Sequence, residues 1–203
     1  MNEVIIIESK NNILQLAKRN NGIITSSMIT EAGFSRGSLK YLVDKGKLER
    51  SARGVYILPN IWDDEFVNLQ SRFAKGIFSL ETALFLHDLT DRTPNYYWMT
   101  FPTGYNLTSP KSENIRCNQV TGKLFDIGII EVFSPNGNKI RVYSMERTLC
   151  DILRPRNNVD IQIVTEAFKK YAKRNDKNIP KLSEYAKLFK VENKIRSYME
   201  VLI

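Results

Sequence analysis

Apolar positions recur with a helical period near both ends of the chain and gather into strand-like runs in its middle. The most informative stretch is Gly22 to Leu58, GIITSSMITEAGFSRGSLKYLVDKGKLERSARGVYIL. Thr25, Ser26 and Ser27 offer N-cap hydroxyls ahead of a short helix through Met28, Ile29 and Ala32. Gly33 is expected to end that helix, because the position after a C-cap commonly needs a positive φ. Phe34 is expected to plug the corner. Ser35 then caps a second helix, in which Leu39, Leu42 and Val43 recur at i, i+3, i+4 as one apolar stripe. Arg36, Ser38, Lys40 and Tyr41 are left on its other face. Beyond Gly46, the runs Lys47–Arg50 and Val55–Leu58 flank a glycine-containing turn, a hairpin signal, with Arg50 and Arg53 at its edge or tip.

Taken in order, these parts predict a winged helix-turn-helix. Its second helix would enter the major groove of duplex DNA. The candidate DNA-contacting residues are Ser26, Ser27, Ser35, Arg36, Ser38, Lys40, Tyr41, Lys47, Arg50 and Arg53. Those on the second helix would face base edges and phosphates, and the hairpin arginines the flanking phosphates or minor groove. A small helical domain with a solvated basic face is the plainer reading, but it leaves the ordered combination unexplained.

Ahead of this unit, the apolar run Val4–Ile7 and then Ile13, Leu14 and Ala17 predict one helix, with Lys18 and Arg19 near its C-terminus as the helix dipole favours. Pro59-Asn60 marks a boundary, dividing the chain into residues 1–60 and 61–203. Helices are expected over Ile61–Lys75, where Phe66, Leu69 and Phe73 align, and from Ser79 through Leu89. Strands follow at Tyr96–Phe101, Ile115–Val120, Leu124–Phe133 and Lys139–Tyr143, the last two as a hairpin about the turn Ser134–Asn138. Ser144 caps the next helix, SMERTLCDIL. Further helices are expected over Val159–Ala172, from Ile179 through Phe189, and over Glu192–Leu202. The predicted class is α+β: a winged helix-turn-helix, then a mixed α/β domain with a small, mainly antiparallel sheet, and a helical C-terminal tail.

Charge adds a partner to this picture. The 203-residue chain carries a net +8, with 42% hydrophobic residues, enough for a genuine core and suited to a polyanionic partner. Residues 1–60 hold nine Lys/Arg against five Asp/Glu, residues 61–150 nine against ten, and residues 151–203 twelve against seven. The basic tail suggests a second cationic surface, for which Arg147, Lys169, Lys170, Lys173 and Arg174 are the candidates. The two cysteines, Cys117 and Cys150, match no metal-ligand spacing. With no signal peptide and no apolar run approaching the ~20 residues of a membrane span, a soluble cytoplasmic protein is expected.

The catalytic inventory is thin. His87 is the only histidine, and it sits on an apolar helix, where a packed or capping role suits it. No phosphate-binding loop and no GxGxxG motif occur. A metal-dependent nuclease needs clustered carboxylates beside a lysine. Asp126 and Glu131 lie five apart on one expected strand and would point to opposite faces. The chain is expected not to be an enzyme and to need no cofactor or metal.

Three segments in order, residues 22–58, then SLETALFLHDLTDRTP, then VYSMERTLCDIL, resemble the AbiEi family of antitoxins from bacterial type IV toxin–antitoxin systems. The resemblance runs over nearly the whole chain. The family pattern falls on Ser79, Thr82, His87, Ser144, Glu146, Arg147, Thr148 and Asp151, of which Ser144, Glu146 and Asp151 are expected at a helix start and on its exposed side. The resemblance implies a transcriptional autorepressor that binds inverted repeats in its own promoter. It also implies an antitoxin whose C-terminal domain counters a nucleotidyltransferase toxin, without need of a stable complex, in abortive infection, a phage-defence behaviour. No zipper or long exposed apolar helix offers a dimer contact, so a monomer that pairs on DNA is expected. Two rival readings are a ligand-responsive regulator with a pocket near Tyr96, Tyr97 and Trp98, and a DNA-binding protein with a nuclease-like C-terminal domain.

Overall fold

The computed structural model describes the backbone of residues 2–202 and the side chains of residues 11–200. The chain forms two compact units. One comprises the residues up to Ala74 together with Phe133–Ile140, the other Lys75–Val132 and the chain from Arg141 onward.

The first unit opens with helix α1 (Asn2–Arg19), which ends on Lys18 and Arg19 as expected. The apolar run Val4–Ile7 lies outside the described side chains. Strand β1 (Ile23–Thr25), helices α2 (Ser26–Glu31) and α3 (Gly37–Asp44), and strands β2 (Glu49–Ala52) and β3 (Val55–Ile57) follow. The strands form an antiparallel sheet in the order β1-β3-β2. The sequence reading contained the β2–β3 hairpin but not β1, whose three residues are too few to establish a period. Ile13 and Ala17 of α1, Ile24, Ile29, Leu39, Leu42 and Leu48 make one buried cluster. Burying such an aliphatic side chain is worth about 1.5–3 kcal/mol.

The corner between α2 and α3 is set by backbone chemistry. The Thr25 hydroxyl accepts the Met28 amide at 3.2 Å, capping α2. At its far end Gly33 adopts φ +77. The Gly33 amide donates to Thr30 O at 3.1 Å and the Phe34 amide to Ile29 O at 2.9 Å, the paired bonds of a Schellman turn. Phe34 is half-buried and packs on the core cluster. A Cβ on Gly33 would meet nothing within 4 Å, so the demand for glycine is one of dihedral angle alone.

Beyond the hairpin, α4 spans Glu65–Arg72, shorter than the Ile61–Lys75 helix expected. Two aspartates explain the late start. The Asp64 carboxylate is buried and accepts the amides of Phe66 at 3.0 Å and Val67 at 3.3 Å, which fixes the N-cap. Its other oxygen accepts the Ser134 hydroxyl at 2.5 Å and the Asn138 amide nitrogen at 2.7 Å. Asp63 accepts hydrogen bonds from Ser51 and from Asn68 Nδ2 at 2.8 Å. Asn136 Nδ2 donates to Asp63 O at 2.9 Å, and Asn21 Nδ2 to Gly137 O at 2.6 Å. These bonds account for a first unit that runs past residue 60 and takes in the distant turn 134–138.

The second unit is built on a five-stranded sheet in the order β6-β5-β4-β8-β7. The strands are β4 (Ile77–Phe78), β5 (Tyr97–Pro102), β6 (Ile115–Val120), β7 (Ile129–Phe133) and β8 (Lys139–Tyr143). The expected mainly antiparallel sheet is instead mixed. β5 and β6 pair in parallel over six residues, β4 and β8 are also parallel, and β4 and β5 are antiparallel. The parallel step from β5 to β6 requires a crossover, supplied by the short helix α6 (Thr108–Ser112). The run LFDIGIIEVF, expected as one strand, breaks into the helical turn α7 (Lys123–Asp126) and β7. Asp126 and Glu131 therefore lie on different elements. The break falls at Gly128, at φ +77, where a Cβ would come within 2.8 Å of Arg147 Cβ.

Helices α5 (Leu80–Leu86), α8 (Met145–Ile152), α9 (Ile161–Ala172), α10 (Ile179–Leu188) and α11 (Glu192–Leu202) complete the unit, with a 3₁₀ turn at Pro155–Asn157. Their core runs from Leu80 and Leu84 through Leu149, Phe168, Tyr171 and Ala186 to Ile195. Among the described residues no helix is long and apolar enough to cross a membrane. The fold is thus α+β, with a small antiparallel sheet in one unit and a mixed sheet in the other.

Asp64→Ala removes a helix cap and strands two buried donors, and should lower stability by about 2–4 kcal/mol in urea unfolding. A loss below about 1 kcal/mol would show that Asp64 does not hold the 134–138 turn to this unit.

Candidate nucleic-acid interface

α3 presents a divided surface. Leu39 and Leu42 are buried, Ser38 and Val43 half-buried, and Lys40 and Tyr41 exposed. The apolar stripe thus faces the core, and the opposite face carries Gly37, Lys40, Tyr41 and Asp44. Lys45 Nζ lies 5.9 Å from the Tyr41 ring centroid. Arg36, expected on this helix, precedes it as the N-cap residue. Its Nε donates to Thr30 Oγ1 at 2.9 Å, and Thr30 Oγ1 donates to Ser26 O at 2.9 Å. The guanidinium is therefore tethered to α2 while remaining at the surface. Ser35 does reach the start of α3, where its hydroxyl accepts the Gly37 amide at 3.2 Å.

The hairpin is compact, with Arg53-Gly54 as its two-residue turn. Arg50 pairs across with Tyr56 and Ala52 with Val55, so Ser51 is bulged out of register. That bulge lets Ser51 bond Asp63 and Asn68, while Arg50 and Arg53 stay exposed. The Ser26 amide donates to Gly54 O at 2.8 Å, which brings the hairpin tip beside the first turn of α2. Ser26 is half-buried there, and Ser27 is exposed with its hydroxyl 2.8 Å from that of Thr25. Lys47 is exposed on the approach to β2. The structure therefore gathers Ser26, Ser27 and Arg53 at one end, and Arg36, Lys40 and Tyr41 along the start and outer face of α3. Cations outnumber anions across residues 26–53: Arg36, Lys40, Lys45, Lys47, Arg50 and Arg53 against Glu31, Asp44 and Glu49. The sequence reading missed Thr30 and Gly37. Thr30 carries no signal of its own until the corner brings Arg36 to it. Gly37 opens α3 without a side chain, the form of helix end that approaches phosphates closely.

The second basic surface does not form as expected. Arg147 is fully buried, not exposed. Its Nε donates to Asp151 Oδ2 at 2.7 Å, and its Nη1 to Leu124 O at 2.6 Å and Ile127 O at 2.9 Å. The guanidinium lies between the rings of Tyr143 and Phe189, 4.3 and 4.0 Å from their centroids. Glu146 and Asp151, expected on the exposed side of this helix, are buried as well. Tyr171 Oη donates to Glu146 Oε1 at 3.1 Å. Asp151 Oδ1 and Arg154 Nη1 are 3.5 Å apart, an ion pair longer than a good hydrogen bond. Of the remaining candidates, Lys170 is paired with Asp91 at 2.6 Å and Arg174 with Asp176 at 2.7 and 2.8 Å. Only Lys169 and Lys173 of that group are exposed.

His87 is buried at the C-cap of α5, its Nε2 2.7 Å from Tyr143 O. A carbonyl can only accept, so Nε2 carries the proton. Burial lowers its pKa below 6.5, against the opposing pull of that carbonyl bond. Cys117 is half-buried and Cys150 buried, and burial pushes both thiols up, Cys150 to about 12. Among the described residues no group of three or more His, Cys, Asp and Glu could hold a metal ion.

Residues 11–59 match the family described as "Transcriptional regulator, AbiEi antitoxin". The head of this chain is thus similar to the AbiEi antitoxin family over those residues. The match runs from within α1 to just past β3, the same elements that carry the cationic surface. In fold, 87% of the chain corresponds to 71% of the crystal structure of the RV2827C protein from Mycobacterium tuberculosis, with a TM-score of 0.50 at 15% identity. At that identity the likeness speaks for the fold alone. No curated protein matches the chain.

Two outcomes follow for the buried polar cluster. Arg147→Ala strands the Asp151 carboxylate and two carbonyls, and should cost about 3–5 kcal/mol in urea unfolding. A cost under about 1 kcal/mol would place the guanidinium in water instead. For His87, the unfolded chain takes a proton at 6.5 and the folded chain only at lower pH. Stability from this group is therefore complete above 6.5 and falls as the pH drops below it. His87→Gln should flatten that part of the urea-midpoint profile; identical profiles would mean that the ring is accessible to protons when folded.

Proposed function

We propose that residues 22–58 act as a winged helix-turn-helix and that the chain is an antitoxin which represses its own operon. The family match to the head supports the antitoxin and regulator role. The observation that carries DNA binding is the cationic arrangement itself: Arg36 held by Thr30 at the head of α3, Lys40 and Tyr41 on its exposed face, and an arginine-tipped hairpin bonded to α2 through Ser26 and Gly54. In this reading α3 enters the major groove and Arg50 and Arg53 engage the flanking backbone. Two monomers pair on an inverted repeat, with recognition helices about 34 Å apart. DNA recognition belongs to residues 1–60. Residues 61–203 counter a nucleotidyltransferase toxin of the type IV kind, as in phage defence. The protein acts in the cytoplasm, and none of its residues is assigned a catalytic role.

Arg36→Ala with Lys40→Ala should abolish the gel shift of a duplex carrying the promoter repeats, while toxin neutralisation in a growth assay survives. Each phosphate contact removed should shallow the plot of log K against log salt by about 0.9. A base-reading side chain should cost about 1–3 kcal/mol and relax sequence preference. Unimpaired promoter binding by the double variant would rule out α3 as the recognition helix.

A further inference from the structure

The open edge of the five-stranded sheet carries a group of side chains that the DNA-binding head does not use. β6 is the outer strand, paired only with β5 among the described residues. Trp98 on β5 and Arg116 on β6 are register partners in that parallel pair, so both project from the same face. Arg116 Cζ lies 4.0 Å from the ring centroid of Tyr96 and 5.6 Å from that of Trp98. Tyr96 is 40% exposed, and Arg116 and Lys111 are exposed too. Together with Asn114 and Cys117 they line an open recess of about 420 Å³. Neither Lys111 nor Arg116 has an ion-pair partner among the described residues, in contrast to Lys170 and Arg174 nearer the C-terminus.

We propose that this recess binds an unpaired nucleobase together with its phosphate. Simpler charged ligands match its lining less well. A quaternary ammonium would seek the bare aromatic faces, but Arg116 already covers them with its own positive charge. A simple carboxylate or phosphate would use the two cations and leave the aromatic rings without a role. A flat group bearing negative charge uses both. Its ring stacks on the layer formed by Tyr96 and the Arg116 guanidinium, as bases stack on aromatic and arginine planes. Its phosphates meet Lys111 and Arg116. The unpaired edge of β6 supplies backbone donors and acceptors in the same place, and the Asn114 side chain adds an amide. Duplex DNA does not fit this description, because its bases are stacked within the helix. The ligand is therefore a free nucleotide or a single-stranded segment. This assignment stands apart from the duplex-reading role of the head, since the two surfaces share no residue.

Trp62 and Trp98 are the two tryptophans, so the full chain with Trp62→Phe has Trp98 as its only indole, a reporter within the recess. Titration with a short oligoadenylate RNA should quench Trp98 fluorescence to saturation. Arg116→Ala and Tyr96→Ala, both at exposed positions, should each weaken that binding about tenfold, with far-UV circular dichroism unchanged. Arg116→Lys should keep the salt dependence but lose affinity, since it retains charge without the plane. Lys111→Ala should shallow the slope of log K against log salt by about 0.7. If ATP produces the same quench and competes with the RNA, the ligand is a nucleotide or a chain end. If only the RNA acts, it is a continuous single strand. No quench with either, or a quench untouched by both alanine variants, overturns the proposal. A promoter gel shift on the same variants reads the head separately.

Discussion

One buried carboxylate ties the first unit together across some seventy residues of sequence. Asp64 accepts two amides of α4 and, from some seventy residues away, the hydroxyl of Ser134 and the side-chain amide of Asn138. A carboxylate taken out of water is tolerable only when its lone pairs are met by donors, and here four donors meet it. The same carboxylate caps a helix and recruits a distant turn, so the start of α4 and the position of residues 134–138 are one constraint. Neighbouring Asp63 extends it to the bulged Ser51 of the hairpin. The hairpin that carries Arg50 and Arg53 is therefore braced from behind by polar bonds, leaving its arginines on the outer side.

The second unit solves a related problem with the opposite charge. Arg147 is fully buried, and one ionic partner, two backbone carbonyls and two aromatic faces surround its guanidinium. These contacts fasten the segment 124–127 to α8 and to the end of α10. Buried ion pairs are weak evidence for net stability, but removing one member is costly. The cluster is thus best understood as specifying which segments meet. Gly128 belongs to the same device, because any side chain there would collide with Arg147. The polar residues of the SMERTLCD segment serve this interior arrangement, so a growth phenotype from changing them reports folding before it reports contact with any partner.

The two units divide the cationic surface unequally. In the head, the arginines and lysines around α3 and the hairpin are exposed and outnumber the acids. In the second unit, Lys170 and Arg174 are met locally by Asp91, Glu166 and Asp176. Net charge alone could not separate these cases, since each region is basic by count. Arg116 and Lys111 stand out because they lie in the nearly neutral middle of the sequence, at a sheet edge, beside exposed aromatic rings.

Local signals in the chain determined much of the head. The capping hydroxyl at Thr25, the glycine at position 33 and the stripe Leu39, Leu42, Val43 each act over a few residues, and the structure contains all three as expected. The same holds for the strands at residues 115–120 and 139–143, for the cap at Ser144 and for the helix that begins at Ile179. What tertiary structure decided was everything that depends on a distant neighbour. β1 and β4 exist because other strands accept them, not because two or three residues have a period. The parallel pairing of β5 with β6, the early break at Gly128 and the late start of α4 at Asp64 follow from partners up to 74 residues away. The burial of Glu146, Arg147 and Asp151 was invisible for the same reason. A helical period tells which residues share a face, but only the packed structure tells how many of the faces are covered.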